Sequence, residues 1–224
     1  MKAMILAAGL GQRMQPLTHI LPKPLLQVGS LRLIEHHLKK LSALSIAQVI
    51  INVSHLAEKM QTILGNGERW GLEIIYSYEP TPLETAGGIR QALPLLGDQP
   101  FICINGDVWT DYSFEPLLSV PLSLAHLVLV PNPDHHLVGD FSLADPLAPI
   151  SSVVANSAQQ WTFSGMSVLN PALFREENAH IQRLGPLLKQ AVLHQQVTGE
   201  VYRGIWCDIG TPERLLALRH TYVL

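Results

Sequence analysis

Short apolar segments alternate with amphipathic segments along the first half of the chain. The apolar segments predict strands, and apolar residues that recur every three or four positions between them predict helices. The predicted strands are residues 2–7, 48–53, 72–78 and 101–104. The predicted helices are residues 31–44, 55–64 and 85–96. Strands that alternate with helices in this order favour a largely parallel sheet covered by helices on both faces, an α/β fold.

The second half of the chain has a different pattern, in which strand-like segments follow one another with only turns between them. The predicted strands there are residues 124–130, 137–143, 151–154 and 162–169, and the predicted helices are residues 184–194 and 212–222. This order predicts antiparallel additions to the same sheet. We therefore expect one domain over residues 1–224, with an N-terminal lobe of about residues 1–110 and a C-terminal lobe of about residues 111–224 on either side of a cleft.

Composition excludes several classes of protein. Hydrophobic residues make up 47% of the 224 residues and charged residues 15%, so the chain is not of the disordered class. Its 15 basic and 18 acidic residues give a net charge of −3, which argues against a cationic nucleic-acid-binding face. No apolar segment approaches the ~20 residues of a membrane span, so we expect neither nucleic acid nor membrane as a partner. Cys103 and Cys207 lie in apolar segments and are expected to be reduced thiols of a cytoplasmic protein.

A glycine-containing loop follows the first predicted strand. Gly9 and Gly11 allow a backbone to approach a phosphate closely, but Met14 replaces the third glycine of a dinucleotide-binding fingerprint. Lys23 stands between two prolines, which predicts a stiff, extended backbone that presents its ammonium group. Together with Arg13, this lysine predicts a cradle for a polyphosphate.

Two aspartates complete the predicted chemistry. Asp107 comes just after the strand 101–104, and Asp208 lies in an apolar strand whose alternation turns it away from Cys207 and Ile209. An aspartate in such a strand is costly unless it is paired with a cation or binds a metal. Either residue alone could be a turn former or an ion-pair partner, but with Arg13 and Lys23 in the same chain the pair predicts Mg²⁺ ligation.

The loop and the residues after it resemble the signature of the sugar-phosphate nucleotidylyltransferases. The resemblance runs from Leu6 to Thr18, continues in Pro22-Lys23-Pro24-Leu25, and extends along the chain in later motifs. These later motifs are Glu79 with residues 83–88, Asn105-Gly106-Asp107, Gly139-Asp140, Asn156, residues 163–166 and residues 206–212. The resemblance implies a Rossmann-like three-layer sandwich, the nucleotide-diphospho-sugar transferase fold, with a nucleotide-binding N-terminal lobe and a sugar-binding C-terminal lobe.

The resemblance also implies a role for individual residues. The catalytic residues would be Arg13, Lys23, Asp107 and Asp208, with both aspartates as Mg²⁺ ligands. The nucleotide would be bound by Leu6, Ala8, Gly9, Gly11, Gln12, Arg13, Lys23, Glu79, Thr85, Gly87 and Gly88. The sugar would be bound by Asn105, Gly139, Asp140, Asn156, Gly165 and Trp206.

Within this family, the chain resembles the bacterial uridylyltransferases that join UTP to N-acetylmuramic acid α-1-phosphate in peptidoglycan recycling. Glu84 stands where many members have glycine, and no C-terminal repeat domain is seen. Asn156 stands where many relatives carry a glutamate that would repel the substrate's lactyl carboxylate. The alternatives are a mannose-1-phosphate guanylyltransferase, a glucose-1-phosphate uridylyl- or thymidylyltransferase, or a non-catalytic nucleotide-sugar sensor. A sensor tends to lose one of the four charged residues Arg13, Lys23, Asp107 and Asp208, and the presence of all four favours the enzyme. We expect a monomer or small homo-oligomer.

Two further features are expected to be structural. The paired histidines at 36–37 and 135–136 lack the spacing of metal ligands and are expected at the surface or the edge of the core. Thr211-Pro212-Glu213 predicts the beginning of the last helix, with no part in catalysis.

Overall fold

The computed structural model describes residues 1–155, 159–175 and 178–222. The main sheet within these ranges has nine strands, and four further strands form two small ribbons. The strands are β1 (Lys2–Leu6), β2 (Gln27–Val28), β3 (Leu31–Arg32), β4 (Gln48–Val53), β5 (Glu73–Tyr78), β6 (Phe101–Asn105), β7 (Val108–Thr110), β8 (Ala125–Val130), β9 (Ser142–Leu143), β10 (Ser151–Val154), β11 (Thr162–Leu169), β12 (Val197–Val201) and β13 (Trp206–Asp208). The helices are α1 (Leu33–Ala43), α2 (Ala57–Leu64), α3 (Glu84–Leu96), α4 (Leu184–Leu193) and α5 (Pro212–Tyr222). The order across the sheet is β5-β4-β1-β6-β11-β8-β12-β10-β9.

Helices cover both faces of this sheet, as the alternation in the first half predicts. Met4 of β1 packs into a core with α3 and α4, whereas its neighbours Ala3 and Ile5 pack into a core with α1 and α2. Successive strand residues point to opposite faces, so a strand buried on both sides must be apolar throughout. The predicted three-layer α/β fold is therefore confirmed.

The second half extends the sheet with both strand directions. β11 runs antiparallel to both β6 and β8, and β10 runs antiparallel to β12 and β9. β12, which the sequence pattern misses, runs parallel to β8 instead. It follows α4, and a strand that re-enters a sheet after a helix commonly does so in parallel.

The predicted strand 137–143 is wrong over most of its length. Only β9, Ser142–Leu143, is a strand there. Leu137 and Val138 are 74% and 75% exposed, and Gly139 has a φ of 77°, which interrupts an extended backbone. The apolar pair therefore belongs to the loop after β8.

Two small ribbons lie outside the main sheet. β2 pairs with β3, and β13 pairs antiparallel with β7. A third apolar cluster forms beside them, in which Leu215 and Leu218 of α5 pack with Ile209 and Met14. This cluster ties the end of the chain to the first loop.

Both cysteines are free thiols in the structure. Cys103 is buried, and burial raises the pKa of its thiol to about 12. Cys207 is half-buried and packs at the edge of the third cluster. None of the helices in the described ranges has the length and apolar character needed to cross a membrane.

Candidate active site

A cleft of about 620 Å³ opens at the carboxyl ends of the central strands. Leu6 and Asn105 are the last residues of β1 and β6, and Asn52 lies next to the end of β4. Ligands bind at this edge of open α/β sheets. The predicted site residues that line the cleft are Leu6, Ala8, Gly9, Gly11, Gln12, Arg13, Lys23, Glu79, Thr85, Asn105 and Asp107.

The first loop lies along one wall of the cleft. Gly11 has a φ of 61°, and a methyl group added to it would lie 2.9 Å from Cγ2 of Thr18. The hydroxyl of Thr18 donates a hydrogen bond of 2.8 Å to the carbonyl oxygen of Gly11. Glycine is therefore needed here both for conformation and for space. Arg13 follows in a short 3₁₀ turn and is exposed to the cleft.

Lys23 is buried beneath this loop and contacts Asp107. Its Nζ lies 2.6 Å from Oδ2 of Asp107, and the lysine is only 9% exposed. The prediction of an extended backbone at Lys23 is wrong, because residues 23–25 form a 3₁₀ turn. The amide of Leu26 donates a hydrogen bond to the carbonyl oxygen of Lys23. This bond outweighs the preference of a residue before proline for an extended backbone. The ammonium group is nevertheless rigidly presented.

The ribbon of β7 and β13 brings the two predicted metal ligands together from positions 101 residues apart in sequence. Asp208 is paired across the ribbon with Val108, the neighbour of Asp107. The amide of Ile209 also donates a hydrogen bond of 2.8 Å to the carbonyl oxygen of Asp107. Backbone pairing thus places the two aspartates at one end of the ribbon, and of the two, Asp107 lines the cleft.

Each carboxylate is paired with a cation of the protein. Nη1 of Arg214 lies 2.5 Å from Oδ1 and 2.6 Å from Oδ2 of Asp208. Nε2 of His135 lies 2.9 Å from the same Oδ1. Arg214 and His135 were not predicted as site residues. His135 is exposed, as expected for its pair, but its imidazole contacts a predicted metal ligand. The loop that carries it folds back from β8, which local spacing does not reveal.

The donor chemistry of the two aspartates fits a hard divalent ion. Mg²⁺ is usually held by one or two carboxylates together with substrate phosphate oxygens. Within the described ranges no cluster of three or more acidic, histidine or cysteine side chains forms a metal cage. A site made of only two carboxylates requires a substrate to complete the coordination of the ion.

A buried polar network joins the first loop to the segment after β5. Glu79 is 1% exposed and accepts hydrogen bonds from Nδ2 of Asn52 (2.7 Å) and from the amide of Leu83 (2.9 Å). Oδ1 of Asn52 accepts from the amide of Ala7 at 2.7 Å. Asn52 was missed in the sequence, although a polar residue at the end of an apolar strand is the same signal that Asn105 gives.

Helix α3 begins beside this network. Thr85 lines the cleft, and its hydroxyl accepts a hydrogen bond of 2.9 Å from the amide of Leu184. Glu84 takes the left-handed conformation that glycine adopts freely, with a φ of 59°. This conformation costs an ordinary residue roughly 1 kcal/mol. The structure therefore keeps the glycine-like backbone at Glu84, although the residue there is not glycine.

Gly87 and Gly88 do not line the cleft, in contrast to the neighbouring Thr85. Both are buried inside α3. A methyl group added at Gly88 would lie 2.3 Å from Oε1 of Glu79 and 2.9 Å from Nδ2 of Asn52. Gly88 therefore provides the space that the buried carboxylate occupies.

The residues predicted to bind a sugar are only partly gathered at the cleft. Asn105 lines it, and a methyl group added to Gly165 would lie 2.6 Å from the Asn105 amide nitrogen. Trp206 donates a hydrogen bond of 2.8 Å to the carbonyl oxygen of Ser164 and does not line the cleft. Asn156 lies outside the described residues.

The loop after β8 holds the remaining two predicted sugar residues. Oδ2 of Asp140 accepts from the amide of Phe163 at 2.9 Å, and its Oδ1 lies 3.1 Å from Nε2 of His136. Gly139 packs against Asn132 and Gln160. The side chain of Asp140 therefore anchors the loop to β11, and His136 has a carboxylate partner that the sequence reading did not expect.

Comparison with known proteins gives a consistent result. The sequence profile of the nucleotidyl transferase family matches residues 2–135. An N-acetylmuramate alpha-1-phosphate uridylyltransferase from Neisseria meningitidis serogroup B is 45% identical, over 96% of this chain and 95% of that protein. A protein of the same name from Caulobacter vibrioides is 33% identical, over 96% of this chain and 94% of that protein.

Solved structures support the fold. A UDP-glucose pyrophosphorylase from Acinetobacter baumanii superposes with a TM-score of 0.79, covering 99% of this chain and 92% of that chain. The two sequences are 18% identical, so this likeness concerns the architecture alone.

Proposed function

The chain belongs to the nucleotidyl transferase family, and we propose that within it the protein transfers a uridylyl group from UTP to N-acetylmuramic acid α-1-phosphate. The products are UDP-N-acetylmuramic acid and pyrophosphate. The observation that carries this proposal is the agreement of two relatives, at 45% and 33% identity over nearly the whole chain, in their name. The geometry of the cleft supports the same reaction.

The reaction asks the protein to bring two anions together. An oxygen of the sugar phosphate attacks the α-phosphorus of the nucleotide, a new O–P bond forms, and the bond to the departing pyrophosphate breaks. The attacking oxygen is already ionised near neutral pH, so no general base is needed. Catalysis of this kind rests on positioning and on stabilisation of charge.

Arg13 and Lys23 supply positive charge on the triphosphate side. Both line the cleft, and Lys23 is held rigidly by its bond to Asp107. A cation whose position is fixed before the substrate arrives stabilises developing charge without reorganisation. We assign the two residues to the phosphates of UTP, with the backbone from Ala8 to Gly11 lying along them.

Asp107 and Asp208 are proposed to hold Mg²⁺. A bound Mg²⁺ supplies neutralisation of the charge on the phosphate oxygens. The backbone pairing of the β7–β13 ribbon, which sets Asp208 beside the neighbour of Asp107, supports this assignment, and oxygen ligands of this kind suit the ion. We place the sugar on the side of the cleft that Asn105 lines, next to Gly165, and assign Asp140 the role of holding the loop after β8 against β11.

Glu79 and Asn52 are proposed to set the shape of the base pocket. Their network connects the phosphate loop at Ala7 to the segment before Thr85. The carboxylate of Glu79 can accept a hydrogen bond from the N3–H group of uracil. The remaining specificity for N-acetylmuramate would come from the C-terminal lobe.

A substrate grid tests this proposal. Pyrophosphate release would be measured with Mg²⁺ while UTP, GTP, dTTP and CTP are each combined with the 1-phosphates of N-acetylmuramate, N-acetylglucosamine, glucose and mannose. We expect the highest kcat/KM for UTP with N-acetylmuramate 1-phosphate. A higher value for GTP with mannose 1-phosphate would replace the proposal by a guanylyltransferase, and no turnover with any pair would favour a nucleotide-sugar sensor.

Matched variants test the metal assignment in the same assay. Asp107→Asn and Asp208→Asn should each abolish Mg²⁺-dependent turnover, because an amide lacks the charge that holds the ion. Asp98→Asn is the control, since Asp98 is an exposed aspartate away from the cleft. Full activity in either of the first two variants would contradict the assignment.

A further inference from the structure

The side chain of Arg214 covers the carboxylate of Asp208. One guanidinium nitrogen contacts both oxygens of that carboxylate, at 2.5 and 2.6 Å, and also lies 2.7 Å from Nε2 of His135. Next to the β7–β13 ribbon, Nζ of Lys23 lies 2.6 Å from Oδ2 of Asp107. Two carboxylates are thus matched by two cations of the protein, and the formal charge of these four groups sums to zero.

This arrangement opposes the binding of a free divalent ion. A cation needs the lone pairs of the carboxylate oxygens, and the guanidinium of Arg214 already uses both oxygens of Asp208. The two positive charges would also repel each other if they shared the carboxylate. The ion and Arg214 are therefore alternative partners of Asp208.

The side chain of Arg214 lies against a residue that lines the cleft. It lies in the first turn of α5 and folds back across Gly210, which lines the cleft. A methyl group added at Gly210 would lie 1.9 Å from Nη2 of Arg214, so the absence of a side chain there makes the path of the arginine possible. The side chain of Arg214 is 20% exposed and that of Lys23 is 11% exposed, so Arg214 is the less enclosed of the two cations.

The contact with His135 indicates which side of the cleft the guanidinium of Arg214 faces. His135 belongs to the loop after β8, the same loop that carries Asp140 and is tied to β11 through it. This is the side of the cleft where we place the sugar. A guanidinium there matches the geometry of a phosphate group, which it can bind through two parallel hydrogen bonds.

We propose that Arg214 exchanges partners during the reaction. It holds Asp208 in the free protein, and when a divalent ion takes Asp208 its guanidinium binds the phosphate of the acceptor sugar 1-phosphate. This inference rests on the proposed function for the identity of that phosphate. The exchange keeps the affinity of the two aspartates for the ion low while the substrates are absent. When the substrates bind, their phosphates supply the negative charge that the displaced guanidinium of Arg214 needs as a partner.

Binding of Mn²⁺ to the free protein tests the first half of the exchange. The free Mn²⁺ concentration would be followed by electron paramagnetic resonance during titration of the whole chain without substrates. Arg214→Gln should bind Mn²⁺ at least about ten-fold more tightly than the wild type, the size of one lost charge-assisted hydrogen bond. A variant that merely damaged the site would bind the ion more weakly, so the direction of the change distinguishes exchange from damage.

Three further variants sharpen the result. Arg214→Ala should also tighten Mn²⁺ binding, because it removes the same charged contact with a smaller side chain. Arg214→Lys keeps the charge and should retain weak binding. Arg219→Gln is the matched control on the same helix, where the guanidinium contacts the carbonyl oxygen of Gln27 instead. Should Arg214→Gln fail to fold by circular dichroism, Arg214→Ala carries the test alone.

Steady-state kinetics test the second half. Arg214→Gln should raise the KM for the sugar 1-phosphate by about ten-fold or more while changing the KM for UTP less, since one charge-assisted contact is lost on the sugar side. Unchanged or weaker Mn²⁺ binding in a folded Arg214→Gln protein would overturn the exchange, as would an unchanged KM for the sugar phosphate. Failure of the proposed function is distinguishable, because it would appear as absent turnover in the wild type while the Mn²⁺ titration still decides the exchange.

Discussion

At the scale of single residues, the site is built from charges that neutralise one another. Lys23 is buried, and an ammonium group in that position is costly unless a carboxylate lies beside it. Asp107 provides that carboxylate at 2.6 Å. The lysine and the aspartate were predicted for different tasks, polyphosphate binding and metal ligation, and the structure shows that they are direct neighbours. Each therefore fixes the position of the other before substrates bind.

Replacement of Lys23 tests whether its fixed positive charge contributes to the reaction rate. Lys23→Met keeps the length of the side chain and removes its charge, so we expect kcat to fall by about 100-fold or more as stabilisation of the transferring phosphate is lost. Lys39→Met, which removes an exposed lysine of α1, should leave kcat unchanged. Initial rates measured at a series of UTP concentrations would give kcat and the KM for UTP separately. A higher KM at constant kcat would mean that Lys23 binds substrate and transition state equally well.

At the scale of elements, short pieces of structure determine which side chains meet. The β7–β13 ribbon pairs only three residues on each strand, yet it carries Asp208 to Asp107. Helix α3 acts in a comparable way, because its Gly88 leaves the space in which Glu79 and Asn52 form their hydrogen bond. In both cases the backbone, rather than a reactive side chain, creates the site.

Gly88→Ala is the corresponding prediction. The added methyl group would collide with a carboxylate that is buried and held by two hydrogen bonds, so Glu79 must move. We expect the KM for UTP to rise by about ten-fold, because displacement of a positioning group by around 1 Å commonly costs that much or more. Gly185→Ala in α4 is the matched control, since a methyl group there meets no atom within 4 Å. Equal KM values for the two variants would contradict a positioning role for Gly88.

At the scale of the whole molecule, one sheet runs through both halves of the chain. β11 pairs with β6 of the first half and with β8 of the second, so the strands of the two predicted lobes share hydrogen bonds. That the protein is a single domain stays a prediction, and calorimetry would test it by showing one cooperative unfolding transition. The continuous sheet also buries polar groups, and His126 in β8 is fully buried with only Thr198 as a described partner.

His126 predicts how the stability of the whole molecule depends on pH. Burial lowers the pKa of this histidine to about 4, whereas an unfolded histidine has its ordinary pKa of 6.5. Below about pH 6.5 the unfolded state therefore binds more protons, and the free energy of unfolding falls as pH decreases toward 4. One such histidine contributes a slope of about 1.4 kcal/mol per pH unit.

Urea unfolding at several pH values between 7 and 4.5 would measure this slope. His126→Gln should flatten it relative to the wild type, whereas His220→Gln, at an exposed position in α5, should not. Equal slopes for the wild type and His126→Gln would contradict the assignment of a neutral buried histidine.

The amino-acid sequence by itself determined most of the elements and many of the residues that line the cleft. Short apolar segments locate β4, β10 and β11 with their observed bounds, because the composition of a buried strand is a local property. The polar residues at the ends of β1 and β6 likewise mark the edge at which parallel strands form a site. These features need only a few neighbouring residues to be recognised.

Only the tertiary structure decided which charges are paired. Arg214 and His135 reach Asp208 from helix α5 and from the loop after β8, and Asn52 reaches Glu79 from another strand. Such contacts depend on the relative positions of elements far apart in sequence, which no local pattern encodes. The same reason explains why Gly87 and Gly88 proved to be buried in α3, and why β12 joined the sheet in parallel.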